Sequence, residues 1–248
     1  MKQLIVSKQP NKEGIVRLTE KDYTYLVSVR RIKAGQTLQV SLNDAGTMQA
    51  EVFNINTAKR YVELKLLCSS AGKTVTPQCS FIVMQWLIKG QHMDLAVRQC
   101  TEAGAAVIFP VLGEFSVVRE ENKNQTERRC RIVREARQQS GSPVDTQLFE
   151  AAPLNCVLNS LTEYTGGKKT AKLMFTEVDK AEPSIFECLK AGAETVVLAI
   201  GCEGGISPTE RELLLKNGFY EVHLKTNVLR AETAAIYALA AAQTILTV

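Results

Sequence analysis

Thr195-Val196-Val197-Leu198-Ala199-Ile200-Gly201-Cys202-Glu203-Gly204-Gly205-Ile206-Ser207-Pro208-Thr209-Glu210 is the stretch that decides the fold class of this chain. Its first six residues form an uninterrupted apolar run, the pattern of a strand buried on both faces of a parallel sheet. Three glycines follow within five residues. A helix then opens with Ser207 as N-cap, Pro208 at the first helical position and Glu210 closing a capping box. In an open parallel sheet, ligands bind beyond the carboxyl ends of the strands. A glycine-rich turn there lets backbone come close to one. The spacing is neither G-x-G-x-x-G nor G-x-x-x-x-G-K-[ST], so a dinucleotide fingerprint and a P-loop are both poorly supported. A tight turn without a ligand is the bland reading. Three glycines around an embedded Glu203 exceed what such a turn needs.

Working outward, Phe81–Met84, Ala106–Pro110 and Leu173–Phe175 read as further buried strands, with a helix over about 92–103 stopped by Gly104. A long polar helix is expected over about 124–139. Tyr220–Leu224 reads as a strand and an Ala-rich helix follows to about Leu246. Strands alternating with helices imply a parallel α/β sheet. Arg230 and Glu232 stand at the mouth of the last helix, again beyond a strand's carboxyl end. A surface ion pair would explain them too, but the shared placement of the two loops favours a site.

The first third reads differently. Leu4–Val6 is a short strand. Thr19–Asp22 caps a short helix that would carry Tyr23, Leu26 and Val29 inward. Thr37–Leu42 and Met48–Ile55 pair across the turn at 43–46, and Tyr61–Leu66 alternates as another strand. Short strands with hairpin turns and one helix suggest a small barrel. Ser69–Thr74 reads as a linker, which puts the domains at 1–72 and 73–248.

The net charge is +4 over 248 residues, but residues 1–75 hold twelve Lys/Arg against six Asp/Glu, so the whole excess lies there. A basic module beside a near-neutral body points to a polyanion partner or to a solvated basic face. With 45% apolar and 23% charged residues, the chain is of ordinary globular composition. No membrane span and no signal peptide are expected. Seven cysteines without C-x-x-C spacing and two distant histidines give neither a disulfide framework nor a metal site, and a cytoplasmic home is expected. Cys100, Cys130 and Trp86 read as packing residues.

Gly201-Cys202-Glu203-Gly204-Gly205, Gly218-Phe219 and Val228-Leu229-Arg230-Ala231-Glu232-Thr233-Ala234 resemble the G-P-E-G-G and L-G-x-x-I-L-R-x-E-T-A motifs of the bacterial RsmE family, 16S ribosomal RNA uridine N3-methyltransferases of the SPOUT superfamily. Lys89 through Gly104 is similar to that family's K-x-x-[RK]…T-E-L-G stretch. Arg137-Gln138-Gln139-Ser140 resembles its E-Q-S, and Val29-Arg30 its N-terminal V-L-R. Cys202 stands at the usual Pro, Lys225 at the usual Gly after Leu224, and Gln138 at the usual Glu.

The resemblance implies an N-terminal PUA-like β-barrel that binds RNA and a C-terminal SPOUT α/β methyltransferase domain with a trefoil knot. It implies S-adenosyl-L-methionine as cofactor and a homodimer. It implies 16S rRNA in the small ribosomal subunit as partner, with no DNA and no membrane. The target would be N3 of uridine 1498 in the usual rRNA numbering. Thr176, Gly201, Gly204, Gly205, Leu224, Leu229 and Thr233 would bind the cofactor. Arg230 would stabilise charge developing on the uracil, and Glu203 or Glu232 would orient it or accept the N3 proton.

Arg17, Arg30, Arg31 and Lys33 are candidate phosphate contacts in the barrel. Arg128, Arg129, Arg131, Arg134 and Arg137 form a second basic stretch, of which Arg134 and Arg137 share a face at helical spacing and are expected to touch RNA. Other readings are a different RNA target for the same cofactor domain, or a non-catalytic RNA-binding assembly factor.

Overall fold

The computed structural model describes residues 3–42, 46–67, 78–177 and 183–247. The chain divides into two compact units, Met1–Thr76 with Arg137–Pro143, and Pro77–Ala136 with Val144–Val248.

In the first unit, β1 (Leu4–Val6), β2 (Ile15–Thr19), β3 (Thr37–Leu42), β4 (Gly46–Asn56) and β5 (Tyr61–Leu66) form one sheet in the order β1-β3-β4-β5-β2. β1 runs parallel to β3, and the other pairs are antiparallel, with a bulge in β4 between Val52 and Asn54. Period-2 alternation builds the inner face: Leu38 and Val40, Val62 and Leu64 are buried together.

Helix α1 (Glu20–Thr24) continues into a π-helical turn over Tyr25–Val29, closed by Arg30 N–H donating to Tyr25 O at 2.9 Å. Tyr23 and Leu26 pack inward as expected, but Val29 is 65% exposed. The wider turn inserts an extra residue into the 3.6 period and rotates Val29 off the core face. Ile32 fills the core instead, its N–H bonded to Leu26 O at 3.2 Å.

The second unit is built on β6 (Ser80–Trp86), β7 (Val107–Leu112), β8 (Gln147–Leu148), β9 (Ala152–Pro153), β10 (Thr170–Phe175), β11 (Thr195–Ile200) and β12 (Tyr220–Val222). Its order is β12-β10-β11-β6-β7-β8, with β9 also on β7, and every pair is parallel. All six residues of β11 are buried. The register aligns Phe175 with both Ile200 and Val222, and Ile200 with Gln85. The loops that leave these four strands therefore emerge on one edge of the sheet.

Helices α2 (Gln91–Glu102), α3 (Lys123–Ser140), α4 (Leu154–Thr165), α5 (Ile185–Leu189), α6 (Pro208–Lys216) and α7 (Ala231–Thr247) complete the described residues. Small side chains let α7 pack closely against α2: Ala235, Ala238 and Ala242 of α7 and Ala96 and Val97 of α2 are buried in one core. Trp86 lies fully buried in it, as expected. Cys100 does too, whereas Cys130 is exposed. α3 turns Ile132, Val133 and Ala136 inward, which leaves Cys130 on the outer face.

The same geometry separates Arg134 from Arg137. Arg134 is exposed, while Arg137, one position after Ala136 on the inward stripe, is buried at 9%. The two do not share an exposed face. No described helix is long and apolar enough to cross a membrane, and the six described cysteines are free.

Candidate active site

Beyond the carboxyl ends of β10, β11 and β12 lies a cavity of about 610 Å³. Three loops wall it: Thr176–Glu177 after β10, Gly201–Ile206 after β11, and His223–Arg230 after β12, with the first turn of α7. Of the expected residues, Arg230, Glu203 and Glu232 line it, as do Thr176, Gly201, Gly205, Leu224 and Leu229. Gly204 and Thr233 do not. Gly204 faces Phe115, whose Cβ would lie 3.1 Å from an added Cβ, and Thr233 is exposed on α7.

The β11–α6 loop is folded tightly on itself. Gly205 N–H donates to Cys202 O at 2.9 Å, and Cys202 Sγ contacts Gly205 O at 3.4 Å. A Cβ on Gly201 would lie 2.7 Å from the carbonyl carbon of Gly205, a distance no side chain tolerates, and Gly205 itself has φ +76°. The glycines thus serve close backbone approach within the loop.

The loop is anchored at both ends. Gln85 Nε2 donates to Gly201 O at 3.3 Å. At the other end the capping box forms as expected: Glu210 N–H donates to Ser207 Oγ, and Ser207 N–H to Glu210 Oε2.

The acids are held differently. Glu203 Oε1 accepts from Lys89 N–H at 3.2 Å. Glu232 is 7% exposed, and its Oε1 lies 2.8 Å from Nδ1 of His92, an exposed side chain in the first turn of α2. The β6–α2 segment therefore touches both acids, one through backbone and one through a side chain. Arg211 and Glu221 form an ion pair at the rim. Lys225 is held at φ +47° and its N–H donates to His223 Nδ1 at 3.1 Å.

His92, His223, Arg211 and Glu221 are site residues that motif reading missed. His92 carried a signal, since it falls on the [RK] position of the Lys89 stretch. Glu221 and Arg211 carried none: one lies on α6 and the other on β12, and only the fold brings them together.

The candidate phosphate contacts lie in the first unit, apart from Arg134. Arg17 on β2 donates to Glu63 Oε1 at 2.8 Å and stacks over Tyr61, 4.5 Å from the ring centroid. The Asn54 side-chain hydrogen bond and then Arg17 hold the Glu63 carboxyl below the usual carboxylate range. Arg30, Arg31 and Lys33 are exposed on the segment that leads to β3, with Arg31 at φ +50°. Arg137 sits with the first unit, where its carbonyl accepts from Gln3 Nε2 at 3.1 Å.

Of the remaining basic stretch, Arg129 is buried between Asp94 and Glu121, and burial lowers its pKa although Asp94 pulls the other way. Arg128 pairs with Asp94.

Residues 75–243 match a family of RNA methyltransferase domains, and residues 18–67 an RNA methyltransferase PUA domain. A ribosomal RNA small subunit methyltransferase E of Synechocystis sp. is 31% identical over 240 residues, 96% of this chain and 75% of the relative. The protein of that name from Mycobacterium bovis is 30% identical over 92% of this chain and 86% of its own. The fold is that of the Neisseria gonorrhoeae ribosomal RNA small subunit methyltransferase E crystallised with S-adenosyl methionine. That structure has a TM-score of 0.84 at 22% identity and covers 99% of this chain and 98% of its own. A Legionella pneumophila methyltransferase in complex with SAM gives a TM-score of 0.80 at 22% identity, over 98% of this chain and 97% of its own.

Proposed function

This chain belongs to the ribosomal RNA small subunit methyltransferase E family, and we propose accordingly that it is an S-adenosylmethionine-dependent methyltransferase acting on N3 of a uridine in 16S rRNA, uridine 1498 in the usual numbering. Residues 1–72 would hold RNA and residues 73–248, with the trefoil knot the resemblance implies, would transfer the methyl group. The enzyme would work as a homodimer.

One observation carries this reading: a cavity of about 610 Å³ at the carboxyl ends of three adjacent parallel strands, walled by the glycine loop and by the Arg230–Glu232 turn. Its size is that of a small-molecule or cofactor site. The tight β11–α6 loop, which a Cβ at Gly201 would force apart, leaves that space open, so the residues present fit the cofactor. Thr176, Gly201, Gly205, Leu224 and Leu229 would hold it. When bound, S-adenosylmethionine supplies a methyl group already activated by its sulfonium sulfur.

The chain's own residues must then do three things. They must admit a single uracil, which has to leave its stack to reach a recessed cavity. They must stabilise the negative charge that spreads onto the uracil oxygens as N3 loses its proton, a task suited to the Arg230 guanidinium at the cavity wall. They must also take the proton. In-line alignment inside a walled site converts the encounter into an effectively unimolecular step.

The test is transfer from labelled S-adenosylmethionine to small ribosomal subunits of cells lacking this protein, followed by nucleoside analysis. N3-methyluridine at one position is the expected result. Cofactor binding with no methylated product from 16S rRNA would overturn the assigned target.

A further inference from the structure

The proton leaving uracil N3 needs an acceptor, and the groups around the cavity differ in their capacity to be one. Glu221 is tied to Arg211 by an ion pair. Glu203 already accepts from Lys89 N–H at 3.2 Å. Glu177 is an exposed carboxylate, and a solvated carboxylate is a weak acceptor for an imide proton. Arg230 accepts nothing.

Cys202 Sγ is turned to Gly205 O at 3.4 Å, and Glu232 is buried against His92. The two histidines remain. His223 Nδ1 accepts from Lys225 N–H at 3.1 Å. In the neutral ring this places the proton on Nε2, so His223 has no lone pair to offer. His92 has the opposite arrangement. Its Nδ1 lies 2.8 Å from the buried Glu232 carboxylate, which can only accept. Nδ1 therefore carries the proton, and in the neutral ring Nε2 presents a lone pair, on an exposed ring at the cavity wall.

We propose that His92, oriented by Glu232, is the general base that takes the uracil N3 proton. The inference rests on the methyltransferase reading above. The N3–H bond breaks and its proton forms a new bond to His92 Nε2. The electron pair stays on N3 and forms the bond to the methyl carbon, while the carbon–sulfur pair leaves with the sulfur. The imidazolium so formed is neutralised by Glu232, then returns its proton to solvent through its exposed edge. His92 stands where the resembled K-x-x-[RK] pattern carries a permanent cation.

The pattern itself supplies the discriminating variant. Arginine in His92→Arg can keep the ion pair with Glu232 but cannot accept a proton. The expected result is a kcat lowered roughly 100-fold at neutral pH, in the range that general-base catalysis contributes. The cofactor Kd should be unchanged and the rate should rise with pH as hydroxide replaces the base. His92→Gln, which keeps a donor to Glu232, should lose as much.

A second readout needs no activity. Nitrogen-15 shifts of the neutral His92 ring should show Nδ1 protonated and Nε2 bare, and Glu232→Ala should abolish that preference. A neutral wild-type ring protonated on Nε2 overturns the proposal. So does an active wild type matched in rate and pH profile by both His92 variants. A wild-type chain that transfers no methyl group to any RNA overturns the functional reading instead, whatever the ring shows.

Discussion

Trp86 Nε1 donates to Glu210 Oε1 across 3.0 Å, joining the end of β6 to the capping box that starts α6. The same oxygen accepts from Glu114 N–H at 3.1 Å, and the other carboxylate oxygen from Ser207 N–H at 3.0 Å. One buried side chain therefore caps a helix, satisfies the indole and fixes the loop that carries Glu114. A Cβ on Gly113 would strike the indole, so that loop can only pass the tryptophan as glycine.

Glu210→Ala leaves three donors in this corner without their acceptor. Unsatisfied buried donors cost about 1–3 kcal/mol each, and relaxation and water recover part of that, so a loss of roughly 3 kcal/mol is expected. The melting temperature should fall by about 6–12 °C. Trp86 is the only tryptophan, so its fluorescence reports the corner directly. An unchanged emission maximum with an unchanged melting temperature would contradict this account.

Gly201→Ala should fold but lose the cofactor. The added Cβ meets the Gly205 backbone, which no rotamer can relieve, so the β11–α6 loop must open. S-adenosylmethionine affinity should drop by at least about tenfold, equivalent to 1.4 kcal/mol. Isothermal titration measures it. Thr233→Ala, at a position outside the cavity wall, should leave the affinity as it is.

Much of this corner is legible in the sequence. Ser207, Pro208 and Glu210 announce the cap, because capping is a local rule, and the apolar run at 195–200 announces the strand. Helix α4 carries helical spacing at Leu154, Val157, Leu158 and Leu161 that the motif reading passed over. Other features are not local. The two-residue strands β8 and β9 have no period to read. Val29 faces solvent because a π-helical turn shifts the phase. Arg129 looks like any surface arginine until Asp94 and Glu121 are brought to it by the fold. The His92–Glu232 pair joins residues 140 apart in sequence, and only the packing of α2 against α7 makes it.

Arg129→Ala should destabilise the second unit severely, by about 3–5 kcal/mol, because it leaves the buried Glu121 carboxylate without its cation and Asp94 with only the exposed Arg128. Arg128→Ala, which removes an exposed partner of Asp94, should cost less than about 1 kcal/mol. Chemical denaturation of both variants checks the contrast. Equal losses would mean that Arg129 is not the residue neutralising this pocket.

The Glu63 carboxyl titrates below the ordinary range because Asn54 and Arg17 favour its charged form. A depressed folded-state pKa contributes stability that is present above the unfolded value and disappears as pH falls through the folded one. The first unit should therefore hold its Arg17–Glu63 contact at pH 5 and release it only in stronger acid. Asn54→Ala should move the Glu63 midpoint upward, towards the ordinary value. Carbon-13 titration of the side-chain carboxyls reads both midpoints, and an ordinary Glu63 midpoint in the wild type would contradict the contact geometry.

Lys225 occupies φ +47°, a left-handed conformation that costs a residue with a Cβ about 1–2 kcal/mol. Lys225→Gly removes that strain but adds about 0.5–1 kcal/mol of backbone entropy to the unfolded chain. Relief of strain outweighs the added entropy, so the variant should be more stable by up to about 1 kcal/mol, a rise of about 2–4 °C in melting temperature. Its backbone N–H can still donate to His223 Nδ1, so the loop geometry should survive. Glycine is also what the family pattern carries at this position, so cofactor affinity should hold or improve. A lower melting temperature would mean that the lysine side chain makes a contribution outweighing its strained backbone.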